Sequence, residues 1–208
     1  KLLEIKMPKE ISDYKSEDQF KPTETAIAPN GEIYVADGYG LDFIIRYDSN
    51  GNYIQHFGGK GNNNDHFDCC HGVTLDHRDG NNSLLITSRT ANCFKRFTLD
   101  GKYIETISLQ SCFICRPVLK NENLYFAVIV TRNWRTYDGM LAILDKSNLV
   151  VSMPGGNKPI YDGSSLIPPI YDQKTFLNPH DVCVDNDENI YVPQWNSEKT
   201  YPLKLTRV

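Results

Sequence analysis

Apolar and polar residues alternate along this chain in short runs, each ending at turn residues. Positions 25–28, 33–36, 43–47 and 53–57 are four such runs, separated by Pro29-Asn30-Gly31, Asp37-Gly38-Tyr39-Gly40 and Ser49-Asn50-Gly51-Asn52. A period of two predicts half-buried strands, and Asn-Gly turns between them predict hairpins. Four hairpin-linked strands make a meander. The set repeats near 72–76, 83–87, 93–98 and 103–107, with Asp79-Gly80-Asn81-Asn82 and Leu99-Asp100-Gly101-Lys102 as turns. A third set is blurred into apolar runs at 123–131, 140–144 and 149–153. A fourth, from Asn178, has no obvious last strand. Positions 1–6, opening Lys1-Leu2-Leu3-Glu4-Ile5, read as a further strand, and 7–21 as a polar connection.

The first run of three sets is nearly the same phrase: Pro22-Thr23-Glu24-Thr25-Ala26-Ile27-Ala28, Cys70-His71-Gly72-Val73-Thr74-Leu75-Asp76 and Pro179-His180-Asp181-Val182-Cys183-Val184-Asp185. Helical periodicity is weak, and a repeat of roughly 40–55 residues with four strands per unit belongs to β-propellers. The predicted fold is therefore all-β: a single propeller domain over 1–208, with meander blades at about 22–57, 70–107, 115–153 and 178–208. Self-similarity disfavours a sandwich of the same strand count. In a propeller the first strand of each blade lines the central channel, and the loop between the second and third strands returns to the face where that strand begins. Thr23, His71 and His180 then stand at the channel rim, and Asp37, Tyr39, Ser88, Arg89, Gln194 and Trp195 form a ring around them.

Thr23 and His71 are 48 residues apart, one blade, and His71 and His180 are 109 apart, two blades. In a six-bladed ring, histidines on alternate blades stand about 120° apart, and a third would complete a three-histidine catalytic zinc site with an open position for water. That third ligand lies outside this chain, which therefore reads as a fragment lacking N-terminal blades. The plainer alternative is that both histidines bind channel waters. Arg89 could equally pair with a loop acid, and Tyr39 could pack in its turn.

Composition narrows the partners. A net charge of −4 and no basic cluster argue against nucleic acid, and no run of 18 apolar residues exists to span a membrane. Cys112-x-x-Cys115 has no second pair at zinc-ribbon spacing, so the six cysteines read as small core residues or one local disulfide. Gly58-Gly59-Lys60-Gly61-Asn62-Asn63-Asn64-Asp65 is expected to be a flexible loop. No helix pattern follows to make it a phosphate cradle. Asn81-Asn82-Ser83 fits a glycosylation acceptor, and a secreted or periplasmic location is expected. The segment 154–176, with Tyr161 and Tyr171, is long enough to suggest a functional loop.

From Pro22 through Asp37-Gly38-Tyr39-Gly40, and again at Phe57-Gly58-Gly59, Cys70-His71-Gly72-Val73, Ser88-Arg89 and Pro179-His180-Asp181-Val182, the chain resembles NHL-repeat six-bladed propellers, in particular the peptidyl-α-hydroxyglycine α-amidating lyase branch. The resemblance covers most of 20–208 and weakens between 110 and 175. It implies a zinc lyase that splits a carbinolamide into a peptide amide and glyoxylate. His71 and His180 match two of its three zinc histidines, and Tyr39 matches a tyrosine of proton transfer. Arg89 matches an arginine near the substrate carboxylate, and Asp181 a residue of a structural calcium site. The branch has proline where Cys70 stands, aspartate for Ser88 and methionine for Asn178; its disulfide positions are not reproduced.

The expected partners are a small carboxylated or peptide substrate, together with the missing blades or a partner chain that closes the ring. The competing function is a non-catalytic scaffold that binds protein or glycan through Trp134, Tyr161, Tyr171 and Trp195. A lactonase-like hydrolase with calcium is disfavoured, because the strand starts offer histidine rather than a cluster of Glu, Asp and Asn.

Overall fold

The computed structural model describes residues 3–171 and 175–207, almost wholly as strands and turns with one 3-10 turn at Glu17–Gln19. By its contacts the chain forms two compact units, the first made of residues 1–91 and 95–106, the second of 92–94 and 107–208.

The first unit holds two four-stranded meanders, except for residues 93–94 and 107–108 of the second meander, which belong to the second unit. One runs β1 (Glu24–Ile27), β2 (Ile33–Ala36), β3 (Phe43–Tyr47) and β4 (Tyr53–Gly58) in sequence order; the other runs β5 (Val73–Asp76), β6 (Ser83–Ser88), β7 (Cys93–Phe97) and β8 (Tyr103–Ser108). The strands fall within a residue or two of the positions predicted from the turns. Alternation sends Tyr34, Ala36 and Ile44 into a core shared with Phe67, Val73, Leu84, Ile86 and Phe97. The opposite face of the first sheet carries Val35, Ile45 and Tyr47, covered by Ile11 and Tyr14. Burial on both faces explains why the second run of each set is continuously apolar.

Two expectations are corrected here. Residues 3–6 form no strand: Ile5 and Met7 pack against the outer face of the first sheet, so their apolar character serves contact rather than a ladder. Lys1 and Leu2 lie outside the described residues. The glycine-rich stretch after β4 is not loose either. Lys60 bridges to Phe67, Phe67 is fully buried, and the buried Lys95 ammonium donates to the carbonyls of Asn63 (2.8 Å) and His66 (2.5 Å). Gly58 (φ +85°) is required there, since a Cβ would meet the Phe67 ring at 2.4 Å or more.

One buried charge network ties the second meander together. Asp76 accepts from Arg78 Nη2 at 2.7 Å and from Arg96 Nη1 at 2.8 Å, and Arg96 Nε donates to Glu105 at 2.7 Å. Burial would raise the Asp76 carboxyl, but the hydrogen bonds from Arg78 and Arg96 outweigh it and hold the group down at about 2.

The second unit contains a sheet ordered β10 (Val118–Lys120), β11 (Asn123–Val130), β12 (Met140–Leu144) and β13 (Val150–Ser152), with β9 (Phe113–Ile114) also on β11. β9 and β10 are one strand position interrupted near Pro117, whose nitrogen has no proton for the ladder. A hairpin, β14 (Tyr161–Asp162) and β15 (Ser165–Leu166), follows. The last sheet is β16 (Cys183–Val184), β17 (Ile190–Val192) and β18 (Leu203–Leu205), three strands among the described residues. Phe176, Val182, Ile190 and Val192 join Tyr125, Ala127, Ile129 and Leu141 in this unit's core. Cys70, Cys93, Cys112 and Cys115 are buried, as small core residues would be, and Cys183 is exposed. Among the described residues no helix is long and apolar enough to cross a membrane.

Candidate functional site

The turn after β2 is built around Asp37. Its buried carboxylate accepts from the Tyr14 hydroxyl (2.5 Å), the Lys21 amide (2.6 Å) and the Leu41 amide (2.8 Å). Burial pushes its carboxyl above the usual range, against the pull of those donors. Gly38 lets the neighbouring chain come close, since a Cβ there would stand 2.6 Å from the Cys70 carbonyl oxygen. The Thr23 hydroxyl spans the same gap, within 3.1 Å of the Ala36 carbonyl and 3.3 Å of the Cys70 carbonyl. The turn therefore projects Tyr39 outward from a rigid base, and its side chain is 56% exposed.

The segment carrying His71 is held by a second buried acid. Asp42 accepts from the Cys70 amide at 2.6 Å. Cys69 adopts a left-handed backbone (φ +62°), which turns its carbonyl to accept both the His71 amide (2.8 Å) and the Arg89 amide (3.0 Å). One carbonyl thus sets the spacing of the histidine and the arginine. The side chains then meet: Arg89 Nη1 donates to the Tyr39 phenol oxygen at 3.2 Å, and the Tyr39 and His71 rings lie edge-to-face with centroids 5.2 Å apart. His71 and Arg89 are buried, 7% and 2% exposed, so the exposed phenol caps two sequestered cationic or basic groups.

Other residues assigned to the ring have structural duties. Ser88 Oγ accepts from the Asp68 amide at 2.9 Å, and Asp37 is consumed by its turn. In the second unit the His180 amide donates to the Pro193 carbonyl at 2.9 Å, the ladder position that Thr23 takes with Ala36 at 2.8 Å. Gln194 accepts from the Leu177 amide through its side chain, and Trp195 is exposed. The Asp181 carboxylate is gripped by Arg116 at 2.8 and 3.3 Å, so a calcium ion there would have to displace a guanidinium. Trp134 is exposed and rests edge-on against Phe113. Its loop is organised by buried Asp138, which accepts from the Thr131 amide and hydroxyl, the Thr136 hydroxyl and Arg132 Nε.

The donors for a metal are dispersed. Among the described residues no three His, Cys, Asp or Glu side chains gather into a metal-holding group. His71 has the right donor chemistry for zinc, but its neighbours within the unit are a phenol and a guanidinium. The first unit alone does not fit a zinc site; the remaining ligands would have to come from elsewhere. Sequence reasoning missed Cys69, Asp42 and Tyr14. Asp42 alone left a trace, as an acid closing the Asp37-Gly-Tyr-Gly-Leu turn.

Comparison with solved structures places this strand pattern among known folds. A catalytically inactive virginiamycin B lyase from Staphylococcus aureus with quinupristin aligns over 89% of this chain and 55% of its own, at TM-score 0.57 and 14% identity. A protein of unknown function from Bacteroides caccae aligns over 86% of this chain and 57% of its own, at TM-score 0.54 and 12% identity. The computationally designed Ika4 protein aligns over 99% and 97%, at TM-score 0.52 and 11% identity. The fold is a β-propeller of meander blades. The chain spans little more than half the length of the lyase and the Bacteroides protein. No family model matches it. No curated protein matches it by sequence.

Proposed function

We propose that this propeller is a lyase acting on a small carboxylated substrate, of the peptidyl-α-hydroxyglycine type, at the face carrying Tyr39, His71 and Arg89. The observation that carries it is the convergence of those three side chains: a buried arginine fork within 3.2 Å of an exposed phenol oxygen, with an imidazole ring against the same phenol. Arg89 is suited to hold a carboxylate through paired N–H donors. Tyr39 is the exposed member, placed to take a proton from the substrate hydroxyl. In the reaction that proton leaves as the carbinol oxygen becomes the aldehyde of glyoxylate. The carbon–nitrogen bond breaks, and the departing amide nitrogen takes up a proton. The NHL-type reading adds zinc, toward which His71 would offer one imidazole donor; when bound it would polarise the hydroxyl and lower its pKa. A secreted or periplasmic setting belongs to the same reading.

The test is glyoxylate release from an α-hydroxyglycine-extended peptide, with zinc content measured in parallel on the same full-length protein. Arg89→Leu should raise KM at least tenfold, and Tyr39→Phe should lower kcat by about 10²-fold or more, the scale of a lost proton-transfer group. His71→Ala should lower bound zinc. Absence of glyoxylate release, or release unaltered by both Arg89 and Tyr39 variants, would remove the lyase reading. The scaffold reading draws support from Trp134 and Trp195, each more than half exposed. The Tyr161 hydroxyl is already engaged by the Val150 amide at 2.6 Å, so Tyr161 fits a binding surface less well.

A further inference from the structure

The loop 131–139 between β11 and β12 is longer than the connections 37–42 and 89–92 at the same place in the first two meanders. It is built rather than slack. The Thr131 amide donates to Asp138 at 2.9 Å, the Arg135 amide to the Asn133 side chain at 3.0 Å and the Thr136 amide to the Asn133 carbonyl at 3.2 Å. Its end is pinned to the body of the unit, since a Cβ on Gly139 would stand 2.3 Å from Pro179 Cδ and 2.5 Å from the Ile129 carbonyl oxygen. Tyr137 is held in a left-handed backbone (φ +49°), a conformation that a bulky residue keeps where its surroundings impose it.

This frame presents an alternation of cation and ring: Arg132, Trp134, Arg135 and Tyr137. Trp134 and Tyr137 are 51% and 41% exposed. Phe113 packs against the Trp134 ring at a steep angle, centroids 5.5 Å apart, which steadies the indole without covering it. Arg132 spends its Nε on the buried Asp138 at 2.9 Å, so the guanidinium is fixed in place while its side chain stays 69% exposed. Arg135 is exposed as well. Asp138 is the one acid in the loop and is 1% exposed, so the loop's outer surface is cationic although the whole chain carries a net charge of −4.

The ligand is narrowed by that chemistry. Guanidinium forks select carboxylates. An open indole selects a flat apolar partner, and its negative face favours the weakly positive C–H groups of a sugar ring. The loop's amides at 131, 135 and 136 are consumed internally, so recognition falls to side chains rather than to the backbone pairing that an extended peptide uses. We infer that loop 131–139 binds an acidic polysaccharide, with the C–H face of a sugar ring on Trp134 and uronate carboxylates held by Arg132 and Arg135. The inference is independent of the lyase reading, and it gives the scaffold reading one loop and one ligand class.

The probe is oligogalacturonate, titrated into the full chain by calorimetry and by tryptophan emission. In a Trp195→Phe background Trp134 is the sole indole, and its emission should change saturably, with binding weakened by added salt. Methyl-esterified oligogalacturonate keeps the rings without the charges and should bind the unaltered protein about tenfold more weakly, the scale of a lost charge-assisted contact. Trp134→Ala and Arg135→Gln should each weaken the parent ligand by about tenfold. Both side chains are exposed, so thermal unfolding should stay unchanged. No saturable binding, equal binding of the ester, or indifference to Trp134→Ala would overturn the inference. Polyglutamate binding as tightly as oligogalacturonate would also overturn it, by giving the loop to acidic peptides. Abolition of binding by Trp195→Phe alone would move the contact off this loop and leave a scaffold role standing without it.

Discussion

Replacing Asp76 by Asn is expected to lower the free energy of unfolding by about 3–5 kcal/mol, the scale for removing one partner of a buried ion pair. The side chain is 1% exposed and faces two guanidiniums, those of Arg78 and Arg96. Without its charge, Arg96 loses its buried counter-charge and is left with the Ser83 hydroxyl at 2.9 Å and the carboxylate of Glu105, which is 44% exposed, among its partners, so positive charge in the second meander is poorly compensated. The pH dependence has a definite sign. The folded carboxyl sits at about 2 against an ordinary 3.8, so the unfolded chain binds the proton more readily, and acid favours unfolding. The contribution, about 2 kcal/mol, is fully present above pH 4 and is lost as pH falls from about 4 to about 2. Urea denaturation of both proteins across that range checks this. The gap between wild type and D76N should narrow below pH 4; a constant gap would mean that charge pairing is not its source. The comparison must be a difference, because burial raises Asp37 and its effect runs the other way, lost as pH rises.

The second large effect is expected at the turn that presents Tyr39. Asp37→Ala leaves the Tyr14 hydroxyl and the Lys21 and Leu41 amides without their acceptor. At about 1–3 kcal/mol for each unsatisfied buried group, a loss of about 3 kcal/mol or more follows. Gly40→Ala attacks the same turn by volume, since its Cβ would fall on the Asp37 carboxylate and the Gln19 carbonyl. The carboxylate is pinned by its three donors and the carbonyl is backbone, so neither yields readily, and overpacking of this kind costs about 1–3 kcal/mol. Tyr39→Phe is the control: it removes a hydroxyl from an exposed side chain and should leave denaturation nearly unchanged. Equal stability in all three variants would show that the turn does not hold the phenol in place. A selective loss in Asp37→Ala and Gly40→Ala, with broadened Tyr39 resonances, is the expected result.

Much of the architecture was legible because strand texture is a local property. The Asn-Gly turns at 30–31 and 50–51 demanded hairpins, and the alternation between them assigned β1 to β4 without any distant information. The reading faltered where a residue's role depends on a distant partner. Ile5 and Met7 have the apolar character of a strand, yet they serve as a cover, because the first sheet has a second face to bury. The loop from Gly58 to Asp65 has a flexible composition, yet Lys95, some thirty residues on, fixes its carbonyls. Pro117 splits a strand that the apolar pattern had left blurred.

By itself the sequence determined the repeat, the all-β class and which side chains stand at strand starts and turn tips, since turn chemistry and period two act over a few residues. Tertiary structure decided which of those side chains work together. Tyr39, His71 and Arg89 converge because the Cys69 carbonyl takes both the His71 and Arg89 amides and Gly38 admits the Cys70 backbone beside the tyrosine turn. Ser88, Asp37 and Asp181 occupy equally plausible positions in the chain, but each is consumed by a local amide or by an arginine up to 65 residues away. Hydrogen-bond satisfaction of a buried polar group depends on what the fold brings to it, and nothing in its own neighbourhood of the sequence records that.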